Sequence, residues 1–236
     1  MKFFPTITTI KSAWPEKIKE ATDLGLKEVA VFPTCLEAEQ RKNLYNLLQK
    51  STITSIPLVH LKSDMEIWEL DYFVKKYNTQ VFNTHSASEY PFNPEWMKYK
   101  NIICVENTFK AALNEEELSS LGGICLDFAH LENDRLVDKE KFMLDTRCLE
   151  KFPIKCNHIS AIKTTFEVHD GEKIHYDNHK LVDNSELDYL RRYPLNYFSD
   201  FCAMEFHNKI AEQIMAIDYI ENLLKNRDDF IKGMGF

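Results

Sequence analysis

Glycine is scarce in this chain, with six in 236 residues, and that scarcity excludes low-complexity linkers. No apolar run approaches the roughly 18–20 residues that span a bilayer, and no signal peptide precedes Phe3-Phe4-Pro5. The six cysteines (35, 104, 125, 148, 156 and 202) form no C-x-x-C pair. Cys104 and Cys125 fall in apolar strand-like runs, where a reduced core thiol is the expected state, so a cytoplasmic protein with no membrane partner is expected. Positive charge is also short: the net charge of −8 argues against a broad nucleic-acid surface, though not against a local basic rim around an acidic metal site.

A hydrophobic fraction of 44% and a charged fraction of 28% are ordinary for a globular chain, and the length suits one large domain over residues 1–236. Strand-like runs are expected at Phe3–Ile10, Lys27–Phe32, Ile53–His60, Gln80–His85, Ile102–Val105, Ile124–Leu126, Ile154–Ile162 and Phe201–Phe206. Helical patterns lie between them: Glu16–Leu24, Cys35–Gln49, Asp64–Tyr77, a short segment after Asn93-Pro94, Glu115–Leu121, Lys139–Lys151, Ser185–Arg192 and Asn208–Asn226. Eight βα units without a composition break predict an α/β fold with a parallel sheet closed as a (β/α)8 TIM barrel. An open doubly wound sheet usually carries a glycine-rich first turn, which is missing here.

The strand ends carry the chemistry. The opening strands aside, the runs end in His60, His85, Glu106, Asp127 with His130 three residues on, His158 and Glu205. A polar stretch after the seventh strand adds Asp177-Asn178-His179. Taken singly, a D-x-x-H reads as a cap and a surface residue, and His60 as a satisfied strand-end histidine. Six successive strands ending in imidazole or carboxylate are harder to explain by folding, because converging acids repel. Divalent cations remove that cost, and nitrogen and oxygen donors without thiolate suit zinc, manganese or iron better than magnesium or calcium. His169 and His175, in the polar stretch, are expected to be exposed. His207 either shares the face of Glu205 or caps the next helix.

These residues resemble the xylose-isomerase-like TIM barrel superfamily (AP endonuclease family 2), and most closely its endonuclease IV branch, over roughly residues 53–206. Glu106-Asn107-Thr108 is similar to that branch's E-N-T, Asp127-Phe128-Ala129-His130 to its D-x-x-H, Asp177-Asn178-His179 to its D-x-H and Met204-Glu205 to its closing glutamate. His158, with Lys163 five on, resembles its strand 7 histidine, and His60 and His85 its two early histidines. The resemblance implies up to three zinc ions: one on His60, His85 and Glu106, a second on Glu106, Asp127, His158 and Glu205, a third on His130, Asp177 and His179. It implies phosphodiester hydrolysis beside an abasic site in DNA, by a monomer.

Three features depart from that pattern: Ser86 replaces the glycine after the strand 4 histidine, Leu181-Val182-Asp183-Asn184 replaces a G-x-G, and the loops after strands 3 to 5 are short. The superfamily's other large activity, sugar or sugar-phosphate isomerisation and epimerisation, therefore stands as the alternative. It implies one divalent metal such as manganese on Glu106, Asp127, His158 and Glu205, with Glu106 and Glu205 as catalytic proton-transfer pair, the other histidines orienting a small sugar or polyol phosphate. A metal-dependent barrel kept as a binding module is a third reading.

Overall fold

The computed structural model describes residues 1–10, 13–169 and 173–227. Its strands in chain order are β1 (Phe3–Phe4), β2 (Thr6–Thr8), β3 (Ala30–Phe32), β4 (Leu58–His60), β5 (Val81–Thr84), β6 (Ile103–Glu106), β7 (Gly123–Asp127), β8 (Ile154–Ile159), β9 (Ala161–His169), β10 (Lys173–Asn178) and β11 (Cys202–Met204). Nine of them form one parallel sheet in the order β1-β11-β8-β7-β6-β5-β4-β3-β2. β1 and β2 are one line of chain interrupted at Pro5, whose ring removes the amide donor a ladder needs. β1 pairs with β11 and β2 with β3, so this split first strand joins the two ends of the sheet. The result is a TIM barrel of eight staves.

The helices are α1 (Trp14–Asp23), α2 (Ala38–Lys50), α3 (Ile67–Tyr77), α4 (Glu115–Ser120), α5 (Phe128–Val137), α6 (Lys139–Lys151) and α7 (Ile210–Lys225), with 3-10 helices at Pro94–Ile102 and Asn184–Arg192. Two apolar layers lie between barrel and helices. A third fills the barrel itself with Phe4, Ala30, Phe32, Leu58, Val81, Cys104, Cys125, Cys156 and Ala203. That interior is packed, as a barrel of this size demands. β7 starts at Gly123, where φ is +140° and a Cβ would lie 2.3 Å from Pro153 O, so only glycine lets β7 and β8 approach there. Among the described residues no helix is long and apolar enough to cross a membrane.

The split at Pro5 leaves a seam that side chains close. Gln213, fully buried on α7, accepts from Thr6 N–H at 2.6 Å and donates to Thr6 O at 3.2 Å. Lys17 Nζ donates to Thr8 Oγ1 at 2.6 Å and to Phe206 O at 2.8 Å, and burial pushes its amine down to about 8. These contacts satisfy backbone groups that the missing β2–β11 pairs would otherwise have served.

Three expectations from sequence need correction. The stretch after Asp127, where no helix is expected before Lys139, is the helix α5: the Asp127 carboxylate accepts from His130 N–H at 2.9 Å and caps it. The polar stretch after the seventh strand is an antiparallel hairpin, β9 with β10. The alternation Phe166, Val168, Ile174, Tyr176 around Asp170-Gly171 is the signal that marks it in the sequence. His175, expected to be exposed, is 5% exposed. The His169 side chain lies outside the described residues.

Replacing Gln213 by leucine keeps the shape but leaves both backbone groups of Thr6 buried and unpaired, at about 1–3 kcal/mol each. Urea unfolding of the variant should show a lower midpoint with an unchanged slope; an unmoved midpoint would mean that Gln213 does not hold the seam.

Candidate metal centre

Strand periodicity decides which side chains reach the mouth. In a parallel barrel alternate residues face inward, and the last inward residue of each strand lies at the C-terminal rim. His60 ends β4, Glu106 ends β6 and Asp127 ends β7. His158 is the penultimate residue of β8 and pairs in register with Asp127. His85 and Glu205 lie one residue beyond β5 and β11; Glu205 N–H still donates to Ile159 O at 2.8 Å, which continues the ladder.

Glu106 is the centre of the group. Its Oε2 lies 3.1 Å from His60 Nε2 and 3.3 Å from His158 Nδ1, and accepts from Asn83 Nδ2 at 2.8 Å. His158 Nδ1 also lies 3.1 Å from Glu205 Oε2. Two sets of nitrogen and oxygen donors therefore bring all their donor atoms within 4.8 Å of one another: His60, His85 and Glu106, and Glu106, Asp127, His158 and Glu205. Glu106 belongs to both. His60 Nδ1–H donates to Leu61 O at 3.0 Å, which makes Nε2 the nitrogen free to hold a cation. Asn107, fully buried, accepts from Asp127 N–H at 2.7 Å and donates to Asp127 O at 3.0 Å, tying the ends of β6 and β7 together.

His130, Asp177 and His179 are placed differently. His130 Nδ1 lies 3.4 Å from Asp177 Oδ2, but the neighbour on the other oxygen of Asp177 is His175, at 3.1 Å. Phe109 packs on both histidine rings. His179 sits past the end of β10, donates through Nδ1 to Glu205 O at 3.1 Å and stacks near His207 at 5.6 Å. These three do not form a set with donor atoms within 4.8 Å of one another. Ser86, in the place of glycine, donates to Glu117 Oε2 at 2.7 Å and so fixes the turn beyond His85.

The electrostatics follow from burial against convergence. Burial works against a charged imidazole at His158, yet Glu106 and Glu205 outweigh it and hold the ring well above its ordinary value. Burial would raise Glu106, but His158 and His60 hold it well below the carboxylate range. Glu205 is held at about 2, burial being overcome by His179 and His158. Asp127 goes the other way: burial pushes it up to about 6 against the pull of His130. Asp127 Oδ2 and His158 Nε2 are buried with no hydrogen-bond partner among the described residues. Such orphaned donors on a rim of imidazole and carboxylate fit a divalent cation.

A cavity of about 700 Å³ opens over the group, walled by His60, His85, Glu106, Phe109, Glu205 and the hairpin residues Glu167, Asp177 and Asn178, among others. Sequence reasoning missed Asn83, His175 and Cys125. Asn83 and Cys125 each stand two positions before a rim residue (His85 and Asp127), so period-two alternation was the signal that could have found them. His175 gave no such sign, because its burial depends on the hairpin folding back.

No family model and no curated protein matches the sequence. Solved structures do, and they are xylose-isomerase-like TIM barrels. A xylose isomerase domain protein from Alicyclobacillus acidocaldarius subsp. acidocaldarius matches at 12% identity and TM-score 0.50, over 96% of this chain and 100% of that one. A D-tagatose 3-epimerase-like protein matches at 14% and 0.47 over 98% and 100%. An AP endonuclease, family 2, from Brucella melitensis matches at 12% and 0.43 over 89% and 95%. At these identities the likeness is one of fold.

A cation entering the rim competes with the protons on Asp127, near pH 6, and on His158, higher still. Zinc affinity, measured against a competing chelator, should therefore rise steadily from about pH 5 to about pH 8, and Glu106→Gln should lower it throughout. An affinity independent of pH would show that these two groups are not ligands.

Proposed function

We propose that the chain is a multinuclear metal-dependent phosphodiester hydrolase of the endonuclease IV type, acting on DNA strands that carry an abasic site. The observation that supports this is that Glu106 belongs to both donor sets: His60, His85 and Glu106 would hold one cation, and Glu106, Asp127, His158 and Glu205 a second. The donor chemistry suits zinc. Bound there, such cations would supply Lewis acidity towards phosphoryl oxygens and make a water more acidic.

The chain's own part is orientation. Asn83 fixes one oxygen of Glu106, Asn107 clamps the backbone of Asp127, and Leu61 O sets the tautomer of His60. Phe109 and the hairpin residues Glu167, Asp177 and Asn178 wall the approach to the donors. Fixed donors of this kind need no reorganisation during the reaction.

A second reading, sugar or sugar-phosphate isomerisation, is favoured by the cavity itself. A cavity of about 700 Å³ beside the hairpin suits a small polyol, and Glu106 and Glu205 flank one histidine nitrogen closely enough to serve opposite faces of a substrate. General acid–base catalysis of that kind contributes roughly 10²–10⁴-fold.

His60 and His85 separate the two. Zinc-loaded protein should nick a duplex bearing one abasic site, and His60→Ala or His85→Ala should each abolish nicking and reduce the bound metal. No nicking by the loaded protein, together with solvent exchange of a carbon-bound proton in a ketose or polyol and full metal content in both variants, would replace the hydrolase by the isomerase.

A further inference from the structure

The mouth of the barrel carries nitrogen and oxygen donors, but the layer beneath it carries sulfur. Cys104 on β6, Cys125 on β7 and Cys156 on β8 are fully buried free thiols packed together inside the barrel. All three belong to the one buried cluster that fills the barrel. Cys125 stands two residues before Asp127 and so faces the same interior. Its Sγ and the donor atoms of Glu106 and His158 all lie within 4.8 Å of one another. His158 is itself fully buried, and its Nε2 has no hydrogen-bond partner among the described residues.

We propose that Cys125, Glu106 and His158 form a thiophilic cation site at the floor of the cavity, which takes cadmium, mercury or zinc in preference to magnesium or manganese. A zinc ion sits about 2.3 Å from sulfur and about 2.0–2.1 Å from nitrogen and oxygen, and donor atoms within 4.8 Å of one another are close enough to converge on one such ion. A thiolate among the donors shifts preference towards soft and borderline cations, whereas carboxylate and imidazole alone leave manganese competitive. Binding breaks the Cys125 S–H bond and forms an S–metal bond; the proton leaves to solvent and nothing is oxidised or reduced. Cys156 remains as a neighbouring buried thiol of the same cluster. The site shares Glu106 and His158 with the proposed metal centre but does not depend on the reaction carried out there.

Cadmium is the probe, because sulfur-to-cadmium charge transfer absorbs in the ultraviolet and nitrogen or oxygen ligation does not. Titration of the metal-free full chain with Cd²⁺ should develop this band to saturation at one thiolate per chain. Cys125→Ser should abolish the band, and Cys104→Ala should retain it. A wild-type protein that binds cadmium without the band, or a band that survives Cys125→Ser, overturns the proposal. Should Cys125→Ser not fold, ¹¹³Cd resonance of the wild-type complex decides: a downfield shift characteristic of a sulfur ligand supports the site, and a shift in the range of nitrogen and oxygen ligands alone overturns it. Strand scission is measured separately, so failure of the hydrolase reading leaves the band in place.

Discussion

The carboxylate of Glu106 is the point on which the arrangement turns. A buried carboxylate is costly unless paired, and this one is 3% exposed. Its neighbours come from three other staves: His60 from β4, Asn83 from β5 and His158 from β8. β8 and β4 are remote along the sheet and meet over β6 only because the barrel closes. Closure in turn rests on the split first strand, whose halves reach opposite neighbours, and on Gln213 and Lys17, which seal the place where the ladder is interrupted.

Charge compensation alone does not account for the rim. Histidine partners keep Glu106 and Glu205 ionised, while Asp127, beneath the same rim, is pushed towards the protonated form. Three acids in one pocket with unequal proton affinities are a state that a cation would relieve, by replacing several partial pairings with one strong centre. The seven-residue core of the group, His60, His85, Glu106, Asp127, His158 and Glu205 with Asn83 behind Glu106, is held by ladder register and by side-chain bonds to the backbone, so its geometry belongs to the barrel and not to its loops.

The hairpin has a different standing. Its base brings His175 and Asp177 to His130 and walls the cavity, and Tyr176 N–H donates to Asn133 Oδ1 on α5 at 2.9 Å. It supplies one wall of the cavity over the donors, and it occupies the place where this chain is longest between barrel strands. A substrate must reach the floor past Phe109 and this wall, which ties the size of what can react to an element outside the barrel.

The sequence by itself determined the eight-fold alternation and the face on which each rim residue stands. Period-two strands bounded by helical patterns leave His60, Glu106, Asp127 and His158 little choice but a strand's C-terminal end, and that information is local. Tertiary structure decided who meets whom. Asp177 has histidines two residues away on either side, His175 and His179, and only the fold of the hairpin chooses His175 while His179 turns to the backbone of Glu205. Cys125 reads as an ordinary core thiol until the register of β6, β7 and β8 sets its sulfur beside Glu106 and His158. Asn107 reads as part of a short motif until β6 and β7 lie side by side and its amide clamps Asp127. Periodicity assigns a side chain to a face; neighbours across a barrel are set by closure and stagger, which no single segment of chain contains.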